Sequence, residues 1–388
     1  MQQPSRRWWH TAGAWLGIGT APGALVLGSS AAALADGPVP LVVLLLAGLV
    51  MAFLLVIQGH LGLAPPYGSG RRLAEVLPDY LPSATRTVFG WLLAISMVGW
   101  TGFNVGLGGA ALAQLLGLPA WTGAVLLGGA VLPVALTGRW NLLAVATTVS
   151  ALLLVLLVVT TADTSTAPIT LAPGNLSLLF AATAPFIGYV SVFAVRAPDF
   201  TAGLRNRFDL AMCVLLLVLP SLLVATAGAL LWRSTGSTDL VAELAHSQVG
   251  TILLAVSVIA PTLAAYHSGG LALAGVTRLG MHRALVLIAT VGIALAALGF
   301  HRYLVSWLVM LAATMPPLAV AMGVEGWRRR RGREARLVPA WSWMPASVLA
   351  LGLTMVGVPA AVMAGLAAAL ILAMIRGRRT RVPEASLR

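Results

Sequence analysis

Gly19-Thr20-Ala21-Pro22-Gly23-Ala24 interrupts the first long apolar run of the chain, and Ala182-Thr183-Ala184-Pro185-Phe186-Ile187-Gly188 lies in the sixth. Both carry Thr-Ala-Pro inside a stretch otherwise apolar enough to be one helix. Proline removes a backbone donor and clashes with the preceding turn, and nearby glycine lowers the cost of leaving helical geometry. Each motif therefore predicts a helix break. In hydrocarbon the freed carbonyls and amides need partners, such as a cation for the carbonyls and a polar ligand for the amides. Breaks at corresponding positions of two halves point to a secondary transporter built from inverted repeats. Two unrelated proline kinks would read the same way, because three-residue matches between alanine-rich helices arise easily.

The composition agrees with a membrane setting. The chain has 388 residues, of which 59% are hydrophobic and 9% charged, and its mean hydropathy is +0.94. A soluble domain carries about 25% charged residues, so a soluble enzyme and a disordered chain are both excluded. One helical span needs about 20 apolar residues. The apolar runs fall at 12–35, 39–61, 88–116, 120–137, 142–161, 177–195, 210–231, 250–276, 284–300, 303–324, 341–357 and 358–375. These twelve predicted spans form a single all-α membrane domain over 1–388 and leave only short connections. Residues 12–161 and 177–324 would be the two halves, with 341–375 trailing; five spans in each half force opposite orientations. The single cysteine, Cys213, lies in an apolar run, which excludes a disulfide framework and a multi-cysteine metal centre.

All 24 basic residues are arginines. With a cytoplasmic amino terminus, Arg6 and Arg7, then Arg71, Arg72 and Arg86, then Arg139, then Arg196, Arg205 and Arg207 fall inside. So do Arg278 and Arg283, the run Arg328 to Arg331 with Arg333 and Arg336, and Arg376, Arg378, Arg379, Arg381 and Arg388. Only Arg233 and Arg302 fall outside. This asymmetry is the positive-inside rule, and it predicts a multi-pass membrane protein with both termini in the cytoplasm. The run Arg328 to Arg331 would also suit RNA or anionic lipid, but topology already accounts for it, and no nucleic-acid or obligate protein partner is expected. Arg6, Arg7 and Ala33-Leu34-Ala35 imitate a cleaved signal. The intervening run is longer than a signal core and is broken by Gly17, Gly19, Pro22 and Gly23, so it is expected to stay as a helix.

Polar groups inside spans carry the functional reading. Trp100 and Asn104 stand four residues apart and share one helical face. An indole surface beside an amide suits a planar heterocycle with polar edges, where stacking contributes about 1–3 kcal/mol per base. An interior tryptophan packed on small residues, with Asn104 bonded to a neighbouring helix, fits the same spacing. Span eight is the most polar, with Ser257, Thr262, Tyr266, His267 and Ser268 around Pro261. A histidine at membrane depth binds substrate, relays a proton, or is a neutral member of a buried hydrogen-bond network.

Pro198-Asp199-Phe200-Thr201, after span six, is similar to the Pro-Asp-Phe-Thr/Ala-Arg signature of the nucleobase-cation symporter-1 family. Phe89-Gly90 and Val98-Gly99-Trp100 resemble the start of that family's third helix and the Gly-Trp-Phe-Gly segment within it. These short motifs run in family order over spans one to eight, and the bacterial cytosine-permease-like members are the nearest in kind. The resemblance implies a bacterial inner-membrane protein of LeuT-type fold, with a five-plus-five inverted repeat and two trailing helices. It implies a substrate held between helices one, three, six and eight, stacked on Trp100 and bonded at its edge by Asn104. The broken backbones at Pro22 and Gly188, with Tyr189 in place of the family's tryptophan and His267 near a substrate-facing asparagine, complete the expected substrate site. Ala21 at the first break and Thr262 are the expected cation ligands, and Asp199 belongs to a conformational loop.

The chain departs from the family beside Thr262, where Pro261 and Leu263 replace oxygen-bearing residues. The coupling cation is therefore sodium or a proton, the latter through His267, and no other cofactor or metal is expected. The reading is a permease importing cytosine, a purine or another nucleobase. A hydroxymethylpyrimidine, a hydantoin or allantoin, or an amino acid or amine on the same fold are the alternatives. An intramembrane enzyme would need paired catalytic groups at mid-membrane, and the predicted spans hold no carboxylate.

Overall fold

A computed structural model of the chain describes residues 6–137, 141–162, 167–244 and 246–378. Arg139, Arg379, Arg381 and Arg388, placed inside by the charge pattern, lie outside the described residues. The helices in chain order are α1 (Ala12–Gly19), α2 (Gly23–Ala35), α3 (Leu41–Gly59), α4 (Leu73–Tyr80), α5 (Ser83–Leu116) and α6 (Ala120–Thr137). They continue as α7 (Asn141–Thr161), α8 (Leu176–Val195), α9 (Ala197–Thr201), α10 (Arg207–Thr235), α11 (Leu240–Leu244) and α12 (Gln248–Ser257). The remainder are α13 (Ile259–Val276), α14 (Met281–Ala297), α15 (Leu304–Thr314), α16 (Pro316–Arg330), α17 (Met344–Met355) and α18 (Ala361–Arg378). Among the described residues eight segments are long and apolar enough to cross a membrane, and four shorter apolar helices raise the number to the expected twelve. Among the described residues the departures from all-α are a two-residue parallel pairing of Val39–Pro40 with Ile169–Thr170 and an isolated parallel bridge between Arg6 and Leu204.

Four of the prolines inside spans meet different outcomes. Pro22 ends one helix and starts the next, with Thr20 to Pro22 between α1 and α2. Pro185 does not: α8 runs unbroken from Leu176 to Val195, which corrects the expectation of a break in span six. Pro22 is flanked by Gly19 and Gly23, whereas Pro185 is followed by Phe186 and Ile187 and sits in a stretch, Ala182 to Val195, buried throughout. A buried helix that opened there would leave backbone groups with neither water nor a ligand. Pro261 follows a one-residue interruption at Val258 between α12 and α13, and Pro316 starts α16 after Met315 divides span ten.

Close backbone crossings fix the arrangement. A Cβ on Gly28 would lie 1.7 Å from the Ala225 carbonyl oxygen, and one on Gly228 would lie 2.0 Å from that of Leu25. On the other side of the break, a Cβ on Gly19 would lie 2.6 Å from the Leu217 oxygen. Both halves of span one therefore lie flush along α10, which acts as a splint for the broken helix. Around them α3 packs on α8, α5 on α13 and α14, and α8 on α15.

The end of α16 is held by a buried carboxylate. Glu325, 1% exposed, accepts from Arg328 at 3.2 Å, from Arg329 at 3.1 Å and from the Arg336 amide at 2.8 Å. Arg329 also lies 4.0 Å over the Tyr80 ring of α4. Burial pushes that phenol above the usual tyrosine range.

Candidate functional site

The break in span one begins with a missing donor. Pro22 has no N–H for the Ile18 carbonyl four residues earlier. Ala21 N donates to that oxygen at 3.2 Å in a tighter turn, and the Tyr189 hydroxyl of α8 donates to it as well. Thr20 closes the end of α1 by donating through both its amide and its hydroxyl to Leu16 O, each at 2.9 Å. The broken helix is thus tied to span six at the point where its own ladder fails.

Beside this junction lies a cavity between four helical elements, about 670 Å³ when the open space at its mouth is counted. Ile18, Ala21 and Gly23 line it from the break, and Met97, Trp100, Phe103 and Asn104 from α5. Tyr189, Val192, Phe193, Arg196 and Phe200 line it from α8 and α9, and Pro261, Ala264, Ala265 and Ser268 from α13. The indole of Trp100 meets Tyr189 at 5.7 Å and 71° and Phe103 at 6.0 Å and 78°. Both contacts are edge-to-face, and the indole is only partly buried where it lines the cavity. Asn104 is 2% exposed, and its amide has no hydrogen-bond partner among the described residues. A buried polar group on a cavity wall with no protein partner is what a ligand with a polar edge would satisfy.

The far end of the cavity is aromatic and charged. Phe193 and Phe200 lie 4.5 Å apart, and Trp15 meets Phe193 at 4.9 Å. Arg196 sits 5.6 Å from the Phe200 ring centroid. Its Nε and Nη2 donate to Asp199 Oδ2 at 3.2 and 3.1 Å, and its Nη1 donates to the Ser268 hydroxyl. The other Asp199 oxygen accepts from Leu73 N at 2.9 Å, fastening α9 to the start of α4.

Among the residues singled out by sequence, Ala21, Trp100, Asn104 and Tyr189 come together on the cavity wall. Pro22 lies between the lining residues Ala21 and Gly23 but does not line the cavity itself. Gly188 faces away: a Cβ there would lie 1.8 Å from the Leu308 carbonyl oxygen of α15. Thr262 is fully buried and donates its hydroxyl to Val258 O at 2.7 Å. His267 is not among the lining residues, and its neighbour Ser268 takes the cavity position. Asp199 lies behind Arg196.

Arg196 and Ser268 are not among the site residues expected from sequence, although Ser268 is one of the polar groups of span eight. The signal for them was present: Tyr189, Val192, Phe193 and Arg196 follow the i, i+3, i+4, i+7 spacing of one helical face, and so do Pro261, Ala264, Ala265 and Ser268. Following those two faces for two turns reaches both residues.

No protein-family model and no curated protein sequence matches the chain. Solved structures do. An inward-facing conformation of Mhp1 matches with a TM-score of 0.70 at 15% identity, covering 96% of this chain and 92% of that one. The chain shares the fold of Mhp1. A closed conformation of Mhp1, a nucleobase-cation-symport-1 family transporter with bromovinylhydantoin bound, matches at 0.67 and 15% identity over 97% and 95% of the two chains. A manganese transporter of Eremococcus coleocola matches at 0.59 and 16% identity over 96% of each. A Na+-coupled sialic acid symporter matches at 0.57 and 11% identity over 95% and 89%. Mhp1 belongs to the family that the sequence motifs resemble, and the all-α membrane architecture of LeuT type is as expected.

Proposed function

We propose that the chain is a secondary active transporter of the nucleobase-cation symporter-1 kind that imports a planar nitrogen heterocycle by alternating access. The observation that carries this reading is the unpartnered Asn104 amide one turn from the Trp100 indole, both on a cavity bordered by a broken helix. A heterocycle would stack on Trp100 and exchange hydrogen bonds with Asn104. A nucleobase such as cytosine, a hydantoin and a hydroxymethylpyrimidine all satisfy these two contacts. An amine would meet no carboxylate among the lining residues, which disfavours it.

The five-plus-five repeat is part of the proposal, with halves at 12–161 and 177–324 and trailing helices at 341–375. Its support is the symmetry of the packing. Span one lies on span seven as span two lies on span six, and span three lies on span eight. Exchanging the halves maps the first pair onto the second and the third onto itself. The proposed setting is a bacterial inner membrane with cytoplasmic termini, which puts Arg196 at the inner end of the cavity.

The coupling cation is sodium or a proton. The residues present do not complete an oxygen cage. Ile18 O is already engaged, Thr262 lies off the cavity, and Pro261 and Leu263 bring no side-chain oxygen. Ala21 and Thr262 stay as candidate cation ligands, and no step is routed through them.

The test is a thermal-shift screen of purified protein against nucleobases, hydantoins, hydroxymethylpyrimidine and amino acids, with and without sodium. A ligand at about a hundred times its Kd adds about 2.7 kcal/mol of stability. A heterocycle should stabilise the protein, and Trp100→Ala should abolish the effect. Stabilisation by amino acids alone, or a shift that survives loss of Trp100, overturns the assignment.

A further inference from the structure

We propose that the transported heterocycle carries an acidic group and that Arg196 is its counter-charge, which makes Arg196 a specificity-determining residue. The inference rests on the ring site described above and extends it to the other end of the same cavity.

Three observations place a cationic anchor opposite the ring site. Seven residues separate Tyr189, which touches Trp100, from Arg196 on one face of α8, and seven separate Pro261 from Ser268 on α13. At 1.5 Å per residue each is a path of about 10 Å. The orientation of α5 agrees independently: a Cβ on Gly269, next to Ser268, would lie 2.9 Å from Met97 Cβ. Asn104 is seven residues further along α5 and so belongs to the opposite end. Between the two ends the wall is apolar, formed by Val192, Phe193, Ala264 and Ala265.

Arg196 is the only charged side chain among the lining residues. Its carboxylate partner, Asp199, uses one oxygen on Arg196 and the other on Leu73 N, so it offers little to a cationic ligand. Arg196 commits Nε and Nη2 to Asp199, while Nη1 meets only a neutral hydroxyl. A carboxylate displacing Ser268 from Nη1 would exchange a neutral acceptor for a charged one, and charge-assisted hydrogen bonds are roughly twice as strong. The occupant that fits is a ring with amide-like edges, a short apolar arm and a terminal acid.

The experiment compares three hydantoins of equal length: hydantoin-5-propionic acid, its primary amide and the corresponding amine. Kd is measured on the purified full chain by ligand-dependent thermal shift and tryptophan fluorescence. The acid should bind at least about tenfold more tightly than the amide, and the amine more weakly than either. Arg196→Gln should erase the preference for the acid while leaving the amide's Kd within about threefold. Ser268→Ala keeps the Arg196–Asp199 pair and should preserve the preference, so it serves should Arg196→Gln fail to fold. An amide that binds as well as the acid, or a preference that survives Arg196→Gln, overturns the proposal. The ring reading has a separate readout in neutral hydantoin, uracil and cytosine. Trp100-dependent binding of these without acid preference removes only the charge assignment, whereas no binding of any ring compound removes both.

Discussion

Substituting Gly28 by alanine tests the crossing that holds the broken helix in place. The new Cβ would stand 1.7 Å from the Ala225 carbonyl oxygen, whereas real Cβ contacts essentially never fall below 3.0 Å. The atom opposite belongs to the α10 backbone and cannot rotate away, so α2 must move off α10 by more than an ångström or the two helices must tilt. Overpacking of this kind costs about 1–3 kcal/mol, and a contact with rigid backbone belongs at the upper end. Alanine returns about 1 kcal/mol of helix propensity, leaving a net loss of about 2 kcal/mol. Gly129→Ala in α6 is the matched control, since a Cβ there has nothing within 4 Å. It should be neutral or stabilising by up to about 1 kcal/mol. The assay is the melting of detergent-purified protein followed by size-exclusion chromatography, with and without a stabilising heterocycle. Gly28→Ala should melt well below wild type and respond less to ligand, because Ala21 and Gly23 ride on the displaced segment. A Gly28→Ala protein that melts with Gly129→Ala would refute the splint role of α10.

Further perturbations probe single interactions. Tyr189→Phe keeps the ring against Trp100 but removes the hydroxyl that donates to Ile18 O, and should cost about 1 kcal/mol in a thermal melt; an unchanged melt would mean that the Ala21 amide alone satisfies that carbonyl. Glu325→Gln leaves Arg328 and Arg329 without their buried carboxylate, and should cost about 3–5 kcal/mol, read as a large drop in melting temperature that added heterocycle only partly offsets. Thr262→Val removes a hydroxyl while keeping its shape. If the residue helps to hold sodium, the sodium-dependent part of the ligand-induced shift disappears, and a sodium dependence that survives rules the residue out.

Local rules carried much of the reading. The number of spans follows from apolar run length, the break at Pro22 from a missing N–H flanked by glycines, and the shared face of Trp100 and Asn104 from helical periodicity. Each depends on residues within a few positions of one another. Other features depended on what stands across from a residue. Pro185 looks like Pro22 in sequence, but buried neighbours keep α8 whole. Gly188 looks like part of a break, but its missing side chain admits the Leu308 carbonyl of α15. His267 is the conspicuous polar residue of its helix, but Ser268 takes the cavity position. Arg196 reads as a topological charge, and only the approach of α13 gives it a cavity to face. The physical reason is that these helices are apolar on nearly every side. Periodicity says which residues share a face, and only contacts between spans far apart in the chain decide which face turns toward the cavity.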